Sequence, residues 1–119
     1  MASPRKPTST STENRQVLDQ ACRFNEVVDL IGPRWKMQVL FSISEQLNRF
    51  SLLKQAYPML SDQVLGRRLR ELEADGLIQR VVDAQVVPTA ISYEVLPKAQ
   101  ALLELVPLFC AWGDQWLPA

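Results

Sequence analysis

The chain contains no histidine. That removes Ser-His-Asp and Cys-His catalysis, imidazole-ligated metal sites and the usual switch near neutral pH. Cysteine is scarce: Cys22 and Cys110 are too few for a disulfide-stapled scaffold or a four-thiolate zinc site. Neither sign of charge is in excess, with 13 Lys and Arg against 13 Asp and Glu, so the total points to neither nucleic acid nor an anionic membrane surface. No glycine-rich phosphate loop is present. The most apolar stretch, Ala101 to Trp112, is broken by Glu104 and Pro107 and is too short to cross a bilayer. No apolar run follows Arg5 and Lys6, so the start does not read as a signal peptide. The expectation from these absences is a soluble, cytoplasmic protein that is not an enzyme, with no membrane partner, no cofactor and no metal.

What is present is a chain of 119 residues, 47% of them hydrophobic, which suits one compact domain. Residues 2–14 hold six Ser or Thr, two Pro and no large apolar side chain, so residues 1–14 read as a disordered tail ahead of a domain over 15–119. From Arg15 the pattern is helical. Val17, Ala21, Phe24, Val28 and Ile31 form one stripe, Gly32 is a stop, and Pro33 suits the first position of a second helix. Arg49-Phe50 reads as a very short strand, and Ser51 as the cap of a third helix over Leu52–Ala56 that Pro58 ends. Ser61 caps a fourth helix, closed by Gly76. The period then changes to two over Leu77–Asp83 and Ile91–Leu96, a hairpin rich in Val, Ile and Tyr. A last helical segment, Pro97 to Leu117, is kinked or split by Pro107. The fold class is mainly α with a small β-hairpin, and the order of elements is the plan of a winged helix-turn-helix.

Charge is not spread evenly. Residues 30–80 carry eight basic and five acidic side chains, whereas residues 81–119 carry one and four. The helix-turn-helix part is the basic part, enough for phosphate contact. On a helical wheel at about 100° per residue, Val64, Leu65, Leu69 and Leu72 share one side. Gln63, Arg67 and Arg70 fall opposite. Glutamine pairs with the N6/N7 edge of adenine, and arginine with guanine O6/N7 or a phosphate. Gly66, between the two sides, allows close approach to a groove. Arg68 falls on the buried flank, where it meets either a carboxylate or a phosphate from the side. Arginine and glutamine beside Glu71, Glu73 and Asp75 also describe an ordinary solvated helix, so this helix alone leaves both readings open. Ser61, Arg34, Lys36, Arg49 and Lys54 are the candidate phosphate contacts, with free amides at a Pro33 helix start as a further possibility.

The run of motifs carries a resemblance. Cys22, Leu30-Ile31-Gly32-Pro33-Arg34-Trp35, Arg49-Phe50-Ser51-Leu52-Leu53-Lys54, the stretch from Leu60 to Arg80, then Pro88, Tyr93 and Trp112-Gly113 resemble, in order and spacing, the HxlR family of bacterial winged-helix regulators, relatives of the MarR group. The resemblance implies a DNA-binding transcriptional regulator, a repressor, working as a homodimer on a palindromic operator. It implies a recognition helix over Ser61–Asp75, a wing around Gln85–Ala90, and N- and C-terminal dimerisation helices. Phe24 and the stripe Leu102, Leu105, Val106, Phe109, Trp112 and Trp116 are then the dimer interface; the alternative for that stripe is folding back on its own core. Cys22 stands where some relatives keep a sensing thiol, which implies a redox response if a helix begins nearby and Arg23 favours the thiolate. Cys110 reads as core. The sequence departs from the family at Cys22-Arg23, where Cys-Pro is usual, and at Ala90, where a basic wing residue is usual. The resemblance names no effector. The rival reading is a winged-helix module that binds protein without DNA, favoured by the acidic C-terminal part.

Overall fold

The computed structural model describes residues 7–119, with side chains from residue 11 onward. The chain divides into two compact units, one ending at Pro33 and one spanning Arg34–Ala119. The first is the helix α1 (Pro7–Ile31). Residues 7–14 thus extend a helix and are not the disordered tail expected over 1–14; residues 1–6 lie outside the described residues. Once a helix is nucleated, each added residue gains one hydrogen bond for one residue fixed, and a proline at the first position has no N–H to leave unpaired. Gly32 closes α1 with its N–H on the Val28 carbonyl at 2.7 Å, and Pro33 has no N–H to continue the ladder.

The second unit holds α2 (Lys36–Ser44), α3 (Phe50–Ala56), α4 (Asp62–Ala74), β1 (Ile78–Asp83), β2 (Ala90–Val95), α5 (Pro97–Leu103) and α6 (Val106–Trp116). β1 and β2 pair antiparallel, Ile78 opposite Val95 and Asp83 opposite Ala90. The helical segment after β2 divides at Glu104-Leu105, just ahead of Pro107, which sits in the first turn of α6. Helix α2 begins three residues later than a Pro33 start, because Trp35 has φ 75°, a left-handed conformation that a bulky side chain adopts at a cost of about 1–3 kcal/mol. Tyr57 meets the indole edge-on, with centroids 6.0 Å apart, and the Arg34 guanidinium lies 5.0 Å from the indole centroid. No strand forms at Arg49-Phe50. One bond survives there, from the Tyr93 N–H to the Asn48 carbonyl at 2.9 Å. Helix α3 starts at Phe50, so Arg49 and not Ser51 occupies the cap position.

Val39, Leu40 and Ile43 of α2, Leu53 of α3, Leu65, Leu69 and Leu72 of α4, and Leu77 and Ile78 at the start of the hairpin are buried together. Helix α4 packs against α2 and β1 in this core. Its ends are both set locally. Ser61 Oγ accepts from the Val64 N–H at 3.1 Å, satisfying one of the free donors of the first turn. At the far end Gly76 takes φ 73°, its N–H reaches the Glu73 carbonyl and the Leu77 N–H the Leu72 carbonyl. This paired closure needs a left-handed residue, which glycine supplies without strain.

Among the described residues, one charge is inside. Lys36 is 4% exposed, and its Nζ donates to Asp75 Oδ2 at 2.6 Å. Lys98 donates to the Asp75 backbone carbonyl, so the first residue of α2 and the first turn of α5 both fasten the C-terminal cap of α4. Removing one partner of a buried pair strands the other charge. The Asp75 side chain keeps 31% exposure against 5% for that of Lys36, so only the carboxylate retains access to water. Asp75→Ala is expected to lower unfolding free energy by about 2–4 kcal/mol, and Lys36→Met by about 1 kcal/mol, read from urea midpoints. A larger loss for Lys36→Met would contradict this asymmetry.

Candidate nucleic-acid interface

With Leu65, Leu69 and Leu72 turned into the core, helix geometry leaves α4 one way to face outward. Gln63, Arg67 and Arg70 are all exposed, and Gly66 lies half-buried between them and the core side. Among the described residues, none of these three polar side chains has a hydrogen-bond or ion-pair partner. They form a free amide and two free guanidiniums on one helical face, the donor set that reads base edges in a major groove. A Cβ built on Gly66 would lie 3.3 Å from Arg70 Nη1. The guanidinium of Arg70 therefore folds over the glycine and occupies the space a side chain would take.

The candidate phosphate contacts divide. Arg34 and Arg49 are exposed, and Ser61 is exposed at the start of α4 while its hydroxyl caps the helix. Lys36 is corrected: its ammonium is buried against Asp75 and faces no phosphate. From the sequence it is a candidate surface cation because nothing local announces a partner 39 residues away. Lys54 is half-buried. It donates to the Leu60 carbonyl and sits 3.6 Å from Asp62 Oδ1, so it holds the turn between α3 and α4 before it offers charge to anything outside. The free amides expected at a Pro33 helix start are absent with that start.

Arg68 is the residue whose role the wheel left open. Its Nη1 donates to both carboxylate oxygens of Glu71 at 3.0 Å, and its Nε donates to the Arg34 carbonyl at 2.7 Å. It is an internal strut from α4 to the turn before α2. Cys110, read as core, is exposed and lines a shallow apolar recess with Met37, Phe41, Tyr57 and Val106. Cys22 is exposed too, in the middle of α1 and not at a helix start. At the base of the wing, burial pushes the Tyr93 hydroxyl above its ordinary value of 10.0, Glu73 adds to this and Arg80 opposes it.

Phe24, Phe109, Trp112 and Trp116 each expose about 60% or more of their surface. Leu105 is exposed as well, and Leu102 and Val106 are half-buried. Leu105, Leu108, Phe109 and Trp112 line an open groove of about 520 Å³. The C-terminal stripe therefore does not fold back to bury itself.

Comparison with known proteins places this geometry. The HxlR-like helix-turn-helix family profile matches residues 30–119. The uncharacterised HTH-type transcriptional regulator YvaP of Bacillus subtilis (strain 168) is 34% identical over 80% of this chain and 87% of its own. Among solved structures, the reduced form of the transcriptional regulator YodB from B. subtilis superposes with a TM-score of 0.72 at 27% identity, covering 80% of this chain and 92% of that one. The redox regulator HypR in its oxidised form also gives 0.72 at 27% identity, over 82% of this chain and all of the other.

Two measurements check the site. Gly66→Ala is expected to raise unfolding free energy by about 0.5–1 kcal/mol, the ordinary helix-propensity gain, and to weaken DNA binding by displacing Arg70; a gain in both would show that the groove does not approach α4 at Gly66. Because folding raises the Tyr93 value, the stability it contributes is whole below pH 10 and lost as pH rises through the folded value. Tyr93→Phe should flatten that alkaline decline in a pH series of urea midpoints, and an unchanged decline would contradict it.

Proposed function

The chain belongs to the HxlR-like helix-turn-helix family of transcriptional regulators, and on that premise we propose that it is a cytoplasmic repressor that binds a palindromic operator as a homodimer. The observation that carries the DNA reading is the exposed face of α4, where Gln63, Arg67 and Arg70 stand free while buried leucines hold the helix from behind. Gln63, Gly66, Arg67 and Arg70 meet base edges in the major groove. Ser61, Arg34 and Arg49 meet the flanking phosphates, with Lys54 secondary.

The dimer accounts for the apolar surface elsewhere. Phe24 of α1 and Leu105, Phe109, Trp112 and Trp116 beside and along α6 are too much exposed apolar area for a small protein to leave in water. Leu102 and Val106 edge the apolar patch along α6. A twofold pair sets its two recognition helices about one helical turn of DNA apart, which is what a palindrome requires. Trp112→Glu should convert the dimer to a monomer in sedimentation velocity and lower operator affinity at least about tenfold. A native chain that sediments as a monomer at micromolar concentration would contradict the pairing.

Arg67→Ala should cost roughly 1–3 kcal/mol of operator binding, and native binding should weaken with salt at a slope near −0.9 per phosphate neutralised. Absence of any salt-dependent DNA binding would favour the protein-binding module instead. A thiol response through Cys22 is a further reading, supported by its exposure and by the similarity to a protein described as a redox regulator. A disulfide-forming oxidant should then lower operator affinity in the native protein and leave Cys22→Ser unchanged; equal behaviour of the two would remove Cys22 from that role.

A further inference from the structure

The second unit holds a polar recess of about 370 Å³. Its walls are the end of α2, the turn at Gln46 and Asn48, strand β2 from Tyr93 to Val95, and Gln100 of α5. None of the residues proposed to meet DNA or a second copy lines it. The local chain explains why the walls are polar. Helix α2 closes with the Gln46 N–H on the Ile43 carbonyl at 3.2 Å and the Leu47 N–H on the Ser42 carbonyl at 3.0 Å. This closure needs a left-handed residue, and Gln46 takes φ 72°. An amide side chain thus stands where glycine is usual.

Two residues on, the Asn48 carbonyl accepts from the Tyr93 N–H at 2.9 Å. Along an antiparallel strand the backbone groups alternate between the partner strand and the outside. Tyr93 points its N–H away from β1, so Val95, two residues along, turns its N–H and carbonyl the same way. The neighbouring Leu96 N–H, by contrast, returns to the Leu77 carbonyl at 2.9 Å. Among the described residues the sheet has only β1 and β2, so no strand covers Val95. The recess therefore offers a backbone donor and acceptor side by side on an open strand edge. Side chains add to it. Among the described residues, the amides of Gln46, Asn48 and Gln100 have no hydrogen-bond partner, and Asn48 is half-buried. Each carries both a donor and an acceptor. Of the lining residues Glu94 alone is charged, and its carboxylate accepts from Gln79 Nε2 at 2.8 Å. With no cation in the lining, an anionic ligand would meet an uncompensated carboxylate.

We propose that this recess binds a small uncharged molecule that carries an N–H donor beside a carbonyl acceptor, the chemistry shared by lactams, nucleobases and carboxamides. The ligand's N–H donates to the Val95 carbonyl and its own carbonyl accepts from the Val95 N–H, as a third strand would, while Asn48 and Gln100 bond its remaining polar edge. An occupant bridges α2, β2 and α5. The site stands independently of the DNA reading of α4.

Amide NMR of the native protein during titration with uracil and with nicotinamide tests the site. Dimethyluracil and N,N-dimethylnicotinamide lack the N–H donor, and nicotinate is the anionic control. Uracil or nicotinamide should shift the Val95 backbone amide and the side-chain amides of Asn48 and Gln100, with a Kd in the millimolar range or tighter. The methylated probes and nicotinate should not. Asn48→Leu and Gln100→Leu should each weaken binding roughly three- to tenfold, the scale of one hydrogen bond, with thermal melts confirming the fold. Gln100 is exposed on α5, so its replacement carries the test even where Asn48→Leu unfolds. No shift at these positions with either probe would overturn the proposal. So would methylated probes or nicotinate that bind as well as the parent amides, or a folded variant that binds as the native protein does.

Discussion

Helix α4 buries one face, and everything outside depends on which face that is. Leu65, Leu69 and Leu72 lie within about 60° of one another on the helix, and all three are buried. A rotation of α4 by half a turn would put three leucines in water, at about 1.5–3 kcal/mol each, and two guanidiniums in the core. The rotational setting is therefore decided by burial. The position along the axis is decided at the ends: a serine hydroxyl caps the first turn, and a buried ammonium, a lysine from α5 and a left-handed glycine fix the last. The helix that presents Gln63, Arg67 and Arg70 is held rigidly because none of the groups that hold it is among those it presents.

That division of labour explains the fate of the basic residues. The local excess of positive charge between residues 30 and 80 is real, but part of it serves the fold. Lys36 neutralises Asp75, Arg68 braces Glu71 and the Arg34 carbonyl, and Lys54 ties the turn before α4. The cations left exposed are Arg34, Arg49, Arg67, Arg70 and Arg80. Arginine is always charged and forks to two acceptors at once, so a small set of them suits base and phosphate recognition better than the raw count suggests.

Much of this architecture is legible in the amino-acid order because it is written in short-range chemistry. Ser61 at the cap, Gly76 at the stop, alternation through Val81 and Tyr93, and Pro107 within the last helical segment each act within a few residues. The leucine spacing gives the outward face of α4 without coordinates. What is not legible depends on partners far along the chain. Lys36 is inside because Asp75 comes to meet it. Helix α2 starts late because Tyr57 and Arg34 support Trp35 in a left-handed conformation. The strand at Arg49-Phe50 is lost because α3 already begins at Phe50 and the single bond from Tyr93 lands on Asn48. Helix α1 runs back to Pro7 because extending a formed helix needs no strong former at each step, a cooperative effect that residue-by-residue propensity does not display.

The central claim is that the exposed side of α4 lies in a major groove. Guanine N7 is open to methylation only from that groove, so methylation protection on an operator fragment tests the placement without altering the protein. The account predicts two protected tracts about one helical turn apart, each reduced when Arg67 and Arg70 are both replaced by alanine. Firm binding with every guanine N7 still freely methylated would contradict it.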